Sequence, residues 1–346
     1  MNRIIKLITV FVLTLAITNI FAEGGKRTGT AGASELLIPV GPRGIAMGES
    51  NLVSATGIEA LFWNPAGVSH MKNNADILFS HMSYIADIGV EYGAVAANFE
   101  GFGAIAFSVK SIAIGDIAVT TTSNPDGTGE VFSPSLVTAG LAYSRMLTDA
   151  ISVGLTANFI SERLGDVSAT GLAFDFGVIY KNLGDINGLS IGVVLKNLGP
   201  EMKFDGSGLY QQGQISGVNR PPTLYKIDAA AFEMPFNFQL AAGYQPVIDE
   251  MNTLQFTGIY MNNNFSPDEY KLGGEYGYNN MFFVRAGYQF AGNAPDSFGE
   301  SSYIYGFTAG AGINYEIEDF GVKIDYAFRD TKYFDGNHVF ALTLGF

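Results

Sequence analysis

The stretch His338-Val339-Phe340-Ala341-Leu342-Thr343-Leu344-Gly345-Phe346 decides the fold. Phe340, Leu342, Leu344 and Phe346 share one parity, while Val339, Ala341, Thr343 and Gly345 share the other. Successive side chains of a strand point to opposite faces. One face of this segment is therefore bulky and apolar, and the other is small or polar. A barrel wall in lipid needs that division: a hydrocarbon-facing exterior and a lumen face of small residues.

The same period of two recurs from residue 75 onward. Phe236, Phe238, Leu240, Ala242 and Tyr244 alternate with Asn237, Gln239, Ala241, Gly243 and Gln245. Leu172, Phe174, Phe176, Val178 and Tyr180 form another outer row, opposite an inner row that the apolar Ile179 breaks, and Val322, Ile324, Tyr326 and Phe328 form a third. Tyr303, Tyr305, Phe307, Ala309, Ala311, Ile313 and Tyr315 read as a lipid-facing row with aromatics at both interfaces. The alternation predicts strands near 75–86, 90–99, 102–116, 135–147, 151–163, 169–181, 188–197, 235–246, 251–262, 269–278, 280–290, 303–316, 319–329 and 337–346. That is about fourteen, an even number, as single-chain bacterial barrels require. Short connections such as Glu100-Gly101 and Thr148-Asp149 interleave with longer ones, chiefly 117–134 and 198–234, although 87–89 and 164–168 are also short. Short periplasmic turns alternating with long external loops is the barrel rule, and it puts both termini in the periplasm. The fold class is all-β: a transmembrane antiparallel barrel over 75–346.

Composition agrees. Charged residues make up 15% of the chain, against about 25% in soluble domains. The net charge of −14 excludes nucleic acid, whose phosphates demand Lys and Arg. With no Cys there is no disulfide, thiolate metal site, Cys nucleophile or acylated lipoprotein anchor. Residues 1–22 read as a signal peptide: Arg3 and Lys6, then the apolar Leu7 to Ile20, then Ala22 at a cleavage edge. The exported chain is expected in the outer membrane.

Residues 23–74 do not alternate. They hold Gly41-Pro42-Arg43-Gly44-Ile45-Ala46-Met47-Gly48 and Ala60-Leu61-Phe62-Trp63-Asn64-Pro65-Ala66-Gly67. Pro42 suits a helix start, Gly48 or Gly57 a helix end, and Asn64-Pro65-Ala66-Gly67 a turn. Trp63 is the only Trp, and it stands outside any strand. The segment reads as a hatch of short helices and turns plugging the lumen, with Trp63 as packing anchor.

These hatch residues, with Phe79-Ser80-His81, Gly127 to Phe132, Phe174-Asp175-Phe176-Gly177 and Lys196-Asn197-Leu198-Gly199-Pro200, resemble the PorV/PorQ family of outer-membrane proteins. That family is similar in fold to FadL-type channels, which share an N-terminal Asn-Pro-Ala hatch motif. The resemblance implies a fourteen-stranded barrel with a lumenal hatch, in which Arg43, Met47, Gly48, Phe62, Trp63, Asn64, Pro65, Ala66 and Gly67 carry the motif. The terminal strand ending in Phe346 also resembles the last strands of bacterial outer-membrane barrels. For the PorV branch the resemblance implies service in type IX secretion, holding or shuttling exported cargo at the cell surface. Loop 198–234, with Gln211-Gln212-Gly213-Gln214 and Arg220-Pro221-Pro222, matches no branch.

Candidate chemistry is sparse. His81 and His338 fall on strands that adjoin in a closed barrel, but no third metal ligand accompanies them, so hydrogen bonding is the expected role. No Ser has a His and acid partner. Asp126 and Glu130 fall short of a calcium shell. No catalysis, cofactor or metal is expected. The better lead is the set of charges on lumen parity: Lys110, Glu162, Asp175, Lys181, Lys196, Lys271, Glu275, Arg285, Lys323, Asp325 and Arg329. Charges held away from water must be paired, and Arg43 is a natural partner for Asp175, Glu275 or Asp325. The expected function is a non-enzymatic barrel docking secreted cargo or other secretion subunits through its external loops. The alternative is a FadL-like channel for small hydrophobic molecules. Expected partners are outer-membrane lipid, then cargo, secretion subunits or a hydrophobic ligand.

Overall fold

The computed structural model describes residues 29–214, 221–292, 303–317 and 320–346. The expected signal peptide, 1–22, lies outside them. Fourteen antiparallel strands close into a barrel: β1 (Ala75–Ser83), β2 (Gly89–Phe99), β3 (Gly103–Ala113), β4 (Ser135–Met146), β5 (Ile151–Leu164), β6 (Val167–Lys181), β7 (Leu189–Leu198), β8 (Asn237–Tyr244), β9 (Asn252–Asn263), β10 (Glu269–Tyr278), β11 (Phe282–Ala291), β12 (Tyr305–Ile317), β13 (Phe320–Thr331) and β14 (Asn337–Gly345). Neighbours in sequence are neighbours in space, and β14 closes on β1 with Leu344 opposite Ile77 and Phe340 opposite His81. Closure removes free sheet edges, the condition for a sheet to cross lipid.

The alternation acts as expected on β6, where Leu172, Phe174, Phe176 and Val178 face out and Ala173, Asp175, Gly177 and Ile179 face in. It fails at the start of β12. Register shifts between Tyr305 and Thr308, and an extra residue in one strand flips the parity before it. Tyr303 and Tyr305 are therefore not lipid-facing girdle residues as the simple pattern predicts. Tyr305 lies under the Arg329 guanidinium, 4.0 Å from the ring centre, and Tyr303 hydroxyl reaches Gln289 Oε1 at 2.9 Å.

Turns of a few residues join the strands at one end, at 100–102, 147–150 and 279–281. The opposite end carries the long loops 114–134 and 199–236, and both fold into short ribbons (Ile117–Ala118 with Val131–Phe132, and Tyr210–Gly213 with Thr223–Lys226). By the barrel rule the loop end faces outward and the turn end faces the periplasm.

The hatch runs through the lumen from end to end. It winds through a 3-10 turn at Ser34–Leu37, helix α1 (Pro42–Ala46), 3-10 turns at Asn51–Val53 and Gly57–Glu59, helix α2 (Ala60–Trp63) and a 3-10 turn at Pro65–His70. Its last residues lie at the turn end, where Asn74 N–H donates to Phe346 O at 2.9 Å. Its first lie at the loop end, where Gly29 N–H donates to Phe265 O (3.4 Å) and Gly32 N–H to Glu233 O (3.1 Å). Of the two termini expected in the periplasm, the N-terminus lies outside the described residues. The C-terminus is at the turn end, but the described N-terminal residues are at the loop end.

Candidate functional site

Pro42 occupies the first turn of α1, where its missing N–H costs nothing. Helix α1 aims Arg43 at the wall between β10 and β13. Arg43 Nε and Nη2 donate to the two Glu275 oxygens (2.9 and 2.8 Å), and Nη1 donates to Glu59 Oε2 (3.1 Å). Lys323 closes on Glu59 from the wall and lies 3.5 Å from Asp325. Arg285 bridges Glu275 and Asp325, the latter at 2.6 Å. Of the three acids open to Arg43, it takes Glu275. Asp325 pairs with Arg285, and Asp175 accepts instead from Asn158 Nδ2 (2.9 Å) and the Asn197 N–H (2.8 Å).

A second cluster forms around hatch residue Glu49. It accepts from Lys271 (2.7 Å) and Arg329 Nη1 (2.6 Å), and Arg329 also donates to Asn337 Oδ1. Burial opposes ionisation of Glu49, but Lys271 and Arg329 more than offset it and hold the carboxyl down at about 2. Elsewhere Lys196 Nζ donates to Phe62 O (2.7 Å) and lies 3.7 Å from the Phe62 ring centre. Lys110 Nζ donates to Glu35 O (2.7 Å) and Ile38 O (3.1 Å). The wall thus grips the hatch with carboxylates, cations and backbone carbonyls together.

The hatch motif is equally buried. Asn64 caps the turn that follows it: its Oδ1 accepts from Ala66 N–H at 3.0 Å, and its Nδ2 donates to Val178 O of β6 at 3.4 Å. Pro65 and Ala66 press on Gly154 of β5, and Asn64 on Gly177, where any Cβ would overlap the hatch. Gly67 fits against Ala55 O in the same way. Phe62 meets Trp63 edge to face at 5.1 Å, and the Trp63 ring fills the space above Gly44. Met47 is fully buried. Gly48, at φ +64°, donates to Thr308 Oγ1 (2.9 Å), and the Met47-Gly48 backbone occupies the space a Cβ on Gly273 or Gly287 would need. Inward glycines on five strands are therefore seats for the hatch: Gly154, Gly177, Gly273, Gly287 and, against Ala46, Gly310.

Sequence reasoning missed the hatch carboxylates Glu49 and Glu59. A signal for them exists: between residues 40 and 70 only Arg43, Glu49 and Glu59 are charged, and all three bind wall charges. It also missed the cap. At the loop end Ala33 and Leu36 pack with Ile160, Ala169, Ala173, Met202 and Met234, with Phe204 and Phe232 against them. Loop 199–236 thereby clamps the start of the hatch. At the turn end the hatch leaves open a polar vestibule of about 1120 Å³, roofed by Arg43, Glu59 and Glu275. His81 and His338 both face outward and bond separately, to Glu91 (2.6 Å) and Tyr326 (2.9 Å).

Fold and lumen together define a plugged outer-membrane β-barrel. The family described as type IX secretion system membrane protein PorP/SprF matches residues 107–346, most of the chain, and the protein belongs to that family. The match includes Gly127 to Phe132, Phe174 to Gly177 and Lys196 to Pro200, so the family shown is PorP/SprF, and the expected PorV/PorQ membership is not confirmed by it. The fold is also that of three solved structures. The CymD monoaromatic hydrocarbon channel superposes with a TM-score of 0.55 at 15% identity, covering 89% of this chain and 97% of that one. The Pseudomonas putida toluene transporter TodX gives 0.52 at 14%, covering 87% and 96%. A Pseudomonas aeruginosa FadL homologue gives 0.51 at 13%, covering 89% and 98%. No curated protein matches the chain by sequence.

Proposed function

We propose that this barrel serves type IX secretion without catalysis, as a docking platform whose folded external loops hold cargo or neighbouring secretion subunits. The observation that supports this most is the state of the lumen. Among the described residues the hatch backbone fills the spaces beside wall glycines and shares its charges with the wall, so the hatch is built into the lumen rather than loosely seated in it. At the outer face the described part of loop 199–236 exposes Tyr210, Leu224, Tyr225 and Ile227, and loop 114–134 exposes Ile117 and Val131. The cargo-handling role implied by the PorV/PorQ likeness of the hatch belongs to this proposal.

Replacing residues 207–230 by a short Gly-Ser linker should abolish retention of secreted cargo at the cell surface while leaving the barrel heat-modifiable on gels. Unchanged cargo retention would overturn the docking role. The second reading, passage of small hydrophobic molecules, draws on the likeness to the CymD monoaromatic hydrocarbon channel and the toluene transporter TodX. It predicts toluene uptake into liposomes holding the purified protein. Docking predicts uptake no faster than through empty liposomes.

A further inference from the structure

The vestibule at the turn end borders a second cavity, and no part of the docking role uses either. The vestibule holds about 1120 Å³, and Arg43, Ile58 and Glu59 are among its lining residues. The same three residues line a second cavity of about 20 Å³, which runs between the hatch and β1, β2, β13 and β14 as far as Phe62 and Tyr92. Phe62 and Tyr92 in turn line a third, of about 40 Å³, between the hatch and strands β2 to β7. Leu36 lines that third cavity and also packs into the cap formed by Met202 and Met234. The three cavities thus follow one another along the hatch, from the periplasmic opening to the underside of the cap.

Each is lined by polar side chains that are at least nine-tenths buried and keep an atom without a partner. Arg285 Nη2 belongs to the vestibule, Asn51 Oδ1 and Nδ2 to the second cavity, and the Thr138 and Thr156 hydroxyls to the third. Buried polar groups are hydrogen-bonded to protein or to ordered water in the great majority of cases. At about 10–15 Å³ for each water, the second cavity has room for about one and the third for about three. Charged residues of both signs line them: Arg43, Glu59 and Asp325 the second, Lys110, Asp175 and Lys196 the third. Such spaces are too small and too polar for an aromatic hydrocarbon, and they suit water and single inorganic ions.

Two necks divide the column. At the lower one Arg43 Nη1 and Glu59 Oε2 stand 3.1 Å apart. At the upper one the Phe62 ring is held by Lys196 Nζ, 3.7 Å from its centre, and by Lys110 Nζ at 5.1 Å. These necks are made by side chains, which rotate more readily than the hatch backbone seated against the wall glycines can move. We propose that the three cavities are one hydrated path for small inorganic ions, shut in this structure by Phe62 and by Leu36 under the cap. The path is a property of the lumen and stands apart from cargo docking at the external loops.

The probe is potassium chloride across planar bilayers holding the full chain. The unaltered protein should be silent, and Phe62→Ala combined with Leu36→Ala should give stepwise conductance. The steps should vanish when both ions are exchanged for bulky ones, N-methylglucamine and gluconate, because a narrow path excludes them. Leu52→Ala is the control. Leu52 is fully buried, packs with Val194, Ala241 and Ile259, and lines none of the three cavities, so its truncation should leave the protein silent. Silence of the double variant, or equal steps from Leu52→Ala, would overturn the path. Steps that survive the bulky ions would also overturn it, since they report a displaced hatch. If the double variant fails to give a heat-modifiable barrel, Phe62→Val with Leu36→Val, which removes less volume, replaces it. Smaller steps are then expected, and silence counts against the path.

Discussion

Asn64 has no solvent exposure and satisfies two groups at once, the Ala66 N–H and the Val178 carbonyl. Asn64→Ala should cost about 1–3 kcal/mol, a lost cap plus a buried carbonyl left without its donor. The readout is a lower unfolding temperature together with faster tryptic cleavage after Arg43. Glu275 is the more severe site, because Arg43 and Arg285 both depend on it. Glu275→Gln should destabilise by about 3–5 kcal/mol, the cost of stranding buried charge. A double variant with Arg43→Met should recover part of that loss in the same melting assay. The importance of Asn64 was legible in the sequence, since Asn-Pro inside an apolar run is a turn signal. The partner of Arg43 was not. Asp175, Glu275 and Asp325 share lumen parity, and only the docking angle of α1 selects among them.

At the scale of elements, the period of two located all fourteen strands, because each wall segment separates lipid from lumen and the sequence must record that separation. The bulge in β12 escaped it. Tyr303 and Tyr305 keep the parity of Phe307 in the sequence, and only the pairing with β13 shows the flip. The hatch was legible as non-strand sequence but its path was not, because contacts between distant segments set it. Glu49 makes the hatch sensitive to acid. Its carboxyl is held at about 2 against an ordinary 4.5. The stabilisation it lends is fully present above pH 4.5 and disappears as pH falls from there toward about 2. Glu49→Gln should remove that acid-dependent step. The check is protease sensitivity of the hatch across pH 2–6 using pepsin, compared with the unaltered chain.

For the molecule as a whole, the location of Gly29 and Thr30 at the loop end has a direct test. The chain has no Cys, so a single introduced thiol reports its own side of the membrane. Thr30→Cys should react with a membrane-impermeant maleimide on intact cells, whereas Asp249→Cys should react only after the outer membrane is permeabilised. Equal labelling of both would reverse the assigned orientation or place the hatch start elsewhere. The glycine seats carry a consequence for biogenesis. With Pro65, Met47 and Gly48 wedged where wall side chains would otherwise stand, a finished cylinder offers no gap through which the core could later be threaded. The seam between the first and last strands must be sewn after the interior is occupied. Hatchless protein should therefore not regain its stability when the missing segment is supplied as a separate peptide.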